Sequence, residues 1–185
     1  MKALSSSSPA KEIKPGDVPA LARAAVETYV LRGEQIDAPE HIAKLLSTKG
    51  ACFVSIKTRS GELRGCIGTV EPTSETLASE IIMNAISAAT RDPRFAPVSP
   101  PELSDLVYSV DILALPEPAE VEDLDPSVYG VIVEDEAGYR RGLLLPAIQG
   151  VETVTQQVEI AARKAGIPEG APVKLQRFRV ERFRE

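Results

Sequence analysis

Cys66 and Arg64 stand two positions apart in LRGCIGTV (63–70), a thiol and a guanidinium inside a segment that otherwise reads as a β-strand. Side chains alternate along a strand, so the pair shares a face. A thiol acts as nucleophile or metal ligand in its thiolate form, which neighbouring cations favour. ACFVSIK (51–57) can fold back on this strand through TRSG (58–61) as a hairpin. With Ser60-Gly61 as a two-residue loop, Cys52, Val54 and Ile56 meet Thr69, Ile67 and Gly65 on an apolar face. Phe53, Ser55 and Lys57 then meet Gly68, Cys66 and Arg64 on the other, which sets Cys66 among cations. Gly68 would leave room beside Cys66 for a ligand, and Gly65 would let a core helix come close. The plainer alternative makes Cys66 a small packed residue and Arg64 a salt-bridged surface charge. Residue chemistry alone leans to the plainer alternative.

RDPRF (91–95) is the second such stretch. Arg91 suits a helix C-terminus, Pro93 blocks continuation and Phe95 returns to the core. Asp92 and Arg94 are then free, and an arginine fork held by a carboxylate suits a carboxylate or phosphate ligand. If LRGCIGTV is a working site, Cys66 is the candidate catalytic residue and Arg64, Gly65 and Gly68 are candidate ligand-binding residues, for a small anion. His41 is the lone histidine, and nothing in the sequence gives it the partner that general acid–base work requires. Cys52 and Cys66 make neither a disulfide framework nor a zinc site, and they are expected on opposite faces, unbonded. No P-loop, G-x-G-x-x-G or G-x-S-x-G occurs, so neither metal nor cofactor is expected.

The elements that must position these residues follow from periodicity and punctuation. Val18, Leu21, Ala22, Ala25, Val26 and Tyr29 predict a helix over 18–32, capped by Asp17 and closed by Gly33. A loop and short helix lead to Gly50, and a second long helix is predicted over 74–90. SPPEL (99–103) is a capping box that feeds the strand LVYSVDILAL (106–115). GVIVED and YRRGLLL predict a second hairpin around Glu136-Ala137-Gly138, followed by a helix over 153–165 and a final strand over 173–183. Hairpins flanked by helices indicate an α+β fold with a largely antiparallel sheet. Residues 1–16 are expected to be a disordered lead-in and 17–185 a single domain.

Aromatic residues are 4% of the chain and Trp is absent, so Leu, Ile, Val and Ala must build the core. A net charge of −6 argues against nucleic-acid binding, which rests on clustered Lys and Arg. No apolar run approaches the ~18 residues of a membrane span, and no secretory signal is present, so a cytoplasmic location is expected.

LRGCIGT together with DPRF resembles the AMMECR family, also called AmmeMemoRadiSam system protein A. ELSDLVYSVDIL, GLLLP and RKAGI follow in that family's order, and the resemblance extends over 17–185. It implies an α+β fold of two subdomains with a cleft near the motif. It also implies association with a Memo-like protein and a radical S-adenosylmethionine enzyme, and leaves open whether the protein is an enzyme. The motif positions are Leu63 to Thr69, then Asp92, Arg94 and Phe95, then Leu145-Pro146. On this resemblance Asp92 and Arg94 join the candidate ligand-binding residues. Where many members carry His-Gly, this chain has Tyr129-Gly130, which removes the histidine of any Cys–His dyad.

Overall fold

The structure, a computed structural model, describes residues 14–185; the lead-in expected over 1–16 lies outside them except at its end. The helix α1 (Asp17–Arg32) buries Val18, Leu21, Ala22, Ala25 and Val26, the residues its spacing selects. Asp17 is its first residue rather than its cap, and Gly33 closes it with a φ of 71°. A short helix, α2 (Glu40–Leu45), leads into the first hairpin, β1 (Cys52–Thr58) and β2 (Leu63–Gly68). α3 (Leu77–Thr90) follows, starting where the Thr76 hydroxyl accepts from the Ser79 amide at 3.2 Å. A 3₁₀ turn (Pro100–Asp105) carries the expected capping box and feeds β3 (Leu106–Leu113).

The first sheet has the antiparallel order β2-β1-β3-β8, with β8 spanning Val180–Arg184. One face, including Val54, Ile56, Tyr108 and Val110, is fully buried under α1 and α3. Gly65 allows α3 its close approach: a Cβ there would lie 2.1 Å from the Ala88 carbonyl oxygen. The second sheet has the order β4-β7-β5-β6, built from β4 (Glu117–Ala119), β5 (Gly130–Asp135), β6 (Arg141–Leu144) and β7 (Val173–Phe178). It buries Val131, Val133 and Leu144 together with Ala161 of α4 (Val154–Lys164). Its other face joins the first sheet, where Ile132, Leu143 and Phe178 pack on Ala51 and Leu113. The α+β class with antiparallel pairing holds.

Two expectations change in detail. The first hairpin keeps its register from Phe53–Gly68 to Ile56–Gly65, but Lys57 pairs with Leu63 instead of Arg64. The loop is one residue longer than the two-residue turn expected. Thr58 closes on Glu62, and Gly61 sits at φ 93°. Arg64 is the extra residue, a β-bulge that returns the strand to its register. The single strand expected over 173–183 is two strands in different sheets, with the crossing at Arg179. Phe178 and Phe183 are an odd number of positions apart, so one flat strand would turn them to opposite faces. The break lets both be buried, Phe178 at the junction and Phe183 in the first core.

Candidate functional site

Among the described residues no helix covers the second face of the first sheet. Strand pairing lays its side chains in rows across the strands: Gly68, Phe53, Asp111, Arg182; then Cys66, Ser55, Ser109, Arg184; then Leu63, Lys57, Val107. These rows floor a groove of about 840 Å³, whose far wall is Leu143, Leu144, Leu145, Ile148 and Lys164 of the second half. Basic side chains outnumber acidic ones there. Lys57, Arg94, Lys164, Arg182 and Arg184 face the groove with Asp111 and Glu185. Both carboxylates are engaged, Asp111 with Arg182 at 2.6 and 2.7 Å and Glu185 with Arg23 at 2.7 Å. An acidic chain thus presents a basic groove.

Cys66 is half-buried, and its sulfur accepts a hydrogen bond from the Ser55 hydroxyl at 3.2 Å. β2 is an edge strand, so the outward Cys66 amide needs a partner that no strand supplies. Asp92 Oδ2 accepts it at 2.8 Å. Arg94 then grips Asp92 through Nε and Nη2 at 2.9 and 2.7 Å, and Nη2 lies 3.4 Å from the Cys66 carbonyl. The Arg94 guanidinium, helped by the Cys66 and Arg94 amides, outweighs burial and holds the Asp92 carboxyl well below the usual carboxylate range. The Asp92 side chain is 2% exposed and that of Arg94 54%, so a buried carboxylate holds the guanidinium by its Nε–Nη2 edge and leaves the Nη1 side to the groove.

Arg64 is directed elsewhere. From its bulge it binds Glu102 through Nε at 2.7 Å and Nη2 at 3.2 Å, and it does not line the groove. The Glu102 carboxylate also accepts from the Ser99 amide at 2.8 Å. Arg64, then Ser99, bring its pKa down to about 2 despite burial. Phe95 links the two arginines, with the Arg64 guanidinium 5.9 Å and that of Arg94 5.5 Å from the ring centroid. Cys66, Asp92 and Arg94 are therefore in direct contact, while Arg64 adjoins them through a ring with its charge committed to Glu102. Gly65 faces α3, and the space above Gly68 is filled by Phe53, whose ring carbon would lie 2.2 Å from an added Cβ.

Lys164, like Arg182 and Arg184, is a groove residue that sequence reasoning did not single out. It stands in the last turn of α4, and its Nζ donates to the Leu143 carbonyl at 2.8 Å. Shielding by the surrounding protein lowers its pKa; the Cys66 sulfur opposes this and the Arg94 charge adds to it. RKAGI includes Lys164, but nothing in its spacing points across the molecule to Cys66. Ala147, on the groove rim, has a φ of 54° and is the one non-glycine residue with positive φ among those described. Its amide donates to the Pro126 carbonyl at 2.7 Å, which helps hold a conformation that costs about 1–3 kcal/mol. Tyr129 lies between Arg177 and Arg179, 4.5 and 4.7 Å from its ring, and neither Tyr129 nor His41 lines the groove. Cys52 is fully buried on the opposite face, and burial pushes its thiol up to about 12.

The family described as AMMECR1 matches residues 19–185. A protein of Thermotoga maritima is 52% identical over 162 residues, covering 86% of this chain and 92% of that protein. A protein of Clostridium acetobutylicum is 45% identical over 167 residues, covering 89% of this chain and 35% of that protein, so the chain spans about a third of its length. The crystal structure of an uncharacterized protein from Pyrococcus horikoshii superposes with a TM-score of 0.82 at 30% identity. It covers 94% of this chain and 92% of its own.

Proposed function

The chain belongs to the AMMECR1 family, and from that premise we propose that it is a binding component whose groove holds an anionic ligand beside Cys66. It serves a Memo-like protein and a radical S-adenosylmethionine enzyme as their ligand- or partner-binding member. The observation that carries this reading is the pair of cations, Arg94 from the first half and Lys164 from the second, that line one groove with Cys66. Arg94 is held in place by Asp92 before any ligand arrives, which lowers the entropic cost of binding. The glycines support the site from below: Gly65 seats the sheet on α3 and Gly68 accommodates Phe53.

The alternative, an enzyme using the Cys66 thiolate on an anionic substrate, draws on the Ser55 hydroxyl and on Lys164 beside the sulfur. Among the described residues it lacks a histidine or free carboxylate at the thiol, because Asp92 is bound to Arg94 and to the Cys66 amide. Thermal-shift and calorimetric screening of carboxylates and phosphates tests the choice. Binding that is abolished in Arg94→Gln, with the ligand recovered unchanged, is expected. Turnover, or a covalent adduct at Cys66, would favour the enzyme.

A further inference from the structure

We propose that the groove's ligand is an extended acidic segment of a partner protein, laid across the four strands of the first sheet with two carboxylates about four residues apart. This rests on the anion-binding reading above and names its occupant. The central row of the floor runs Cys66, Ser55, Ser109, Arg184, one residue from each strand. Arg94 and Lys164 stand at the Cys66 end, and Arg184 closes the other. Three strand intervals of about 4.8 Å separate those poles by roughly 14 Å, and an extended chain covers about 13 Å in four residues. A short dicarboxylate spans too little to meet both poles.

Between the poles the floor suits a polypeptide. The thiol and two hydroxyls are small enough for a backbone to lie close, and they can exchange hydrogen bonds with its amides and carbonyls. The flanks mix apolar and charged groups: Phe53 beside the mutually paired Asp111 and Arg182 on one side, Leu63 and Val107 about Lys57 on the other, with Ile148 also in the lining. Leu63 and Ile148 are 38% and 37% exposed, surface that an apolar side chain between the two acids would cover. Strand addition at β2 is opposed at its middle, because Asp92 already occupies the outward Cys66 amide. Recognition therefore runs across the face of the sheet. A nucleic acid would find a chain of net charge −6 and, in Phe53 and Tyr108, a half-buried and a fully buried ring in place of a stacking platform.

The test is fluorescence polarisation of the full chain with a labelled peptide of about ten residues carrying two glutamates four apart and leucine between them. Expected is saturable binding that weakens about tenfold when the glutamates are moved to adjacent positions, and about tenfold in Arg184→Gln. Arg184 is exposed and makes no hydrogen bond or ion pair through its side chain among the described residues, so its variant keeps the fold. Lys164→Met, checked by its melting temperature, should weaken binding similarly. Equal affinity for both glutamate spacings, or an unaltered Arg184→Gln, would overturn the proposal. So would tighter binding of a single-stranded oligonucleotide. Binding of succinate or phosphate without the peptide would overturn this inference and leave the anion-binding reading standing; binding of none would remove both.

Discussion

The two halves are built alike and used differently. Each presses a helix carbonyl onto an edge-strand glycine, Ala88 onto Gly65 in the first and Ala161 onto Gly142 in the second, where an added Cβ would lie 2.1 and 2.0 Å from the oxygen. In each, helices cover one face of a four-stranded antiparallel sheet, α1 and α3 in the first and α4 in the second. Their second faces diverge. That of the second half, with Ile132, Leu143 and Phe178, is used up in joining the halves. That of the first carries Cys66, Ser55, Ser109 and a set of basic residues, and it remains open. One scaffold thus serves as wall or as floor according to what its free face presents, and the polar and basic side chains gather where packing does not claim the face.

The largest expected effect tests the shared part of this comparison. Gly65→Ala and Gly142→Ala should each destabilise by about 3 kcal/mol, because the new methyl meets helix backbone that no rotamer change can move aside. Urea unfolding measures both. If Gly142→Ala were tolerated while Gly65→Ala was not, the halves would not be equivalent scaffolds.

A somewhat smaller effect separates the halves by acid. Among the described residues the buried carboxylates are Glu80, Asp92 and Asp111, all in the first half. Asp92 and Glu102 are held below their unfolded values, chiefly by Arg94 and Arg64. A depressed folded pKa contributes stability that is complete above the unfolded value, about 4, and is lost as pH falls through the folded one. Glu102, at about 2, sets the lower part of that window. Stability should therefore fall from about pH 4 downward, and Asp92→Asn should flatten that fall while costing about 2 kcal/mol at neutral pH. Urea midpoints across the acid range provide the check. An unchanged slope in Asp92→Asn would mean that the tie between Asp92 and Arg94 does not anchor the edge of β2.

What the sequence disclosed also divides between the halves. The first hairpin could be read because Cys52, Val54 and Ile56 alternate strictly, and a buried face fixes register. Its bulge could not, since Arg59 and Thr58 are equally acceptable at the loop's edge, and the contacts that accompany the bulge, Arg64 to Glu102 and the Arg59 amide to the Asp105 carbonyl, lie outside the hairpin. DPRF could be singled out because proline and phenylalanine account for themselves and leave Asp92 and Arg94 over, and those two do meet beside Cys66. Lys164 was not, because its role depends on where α4 docks. Nor was the split between β7 and β8, which answers to two cores at once.

The smallest effect concerns the charges about Cys66, and it bears most directly on the open face. A thiol reagent at neutral pH should modify Cys66 long before Cys52, which is fully buried with its thiol pushed up to about 12. Reading the hairpin alone makes Arg64 the cation that assists this reaction. The bulge turns Arg64 to Glu102, so Arg64→Ala should leave the rate nearly unchanged. Lys164→Met should slow it by roughly two- to threefold, since removing one charge several ångströms from an attacking sulfur across partly wet protein is worth well under 1 kcal/mol. A labelling time course followed by mass spectrometry resolves the two cysteines and all three proteins. A slowing in Arg64→Ala with none in Lys164→Met would return the control of Cys66 to its own strand. The groove between the halves would then be a seam, and the second half would contribute only a wall.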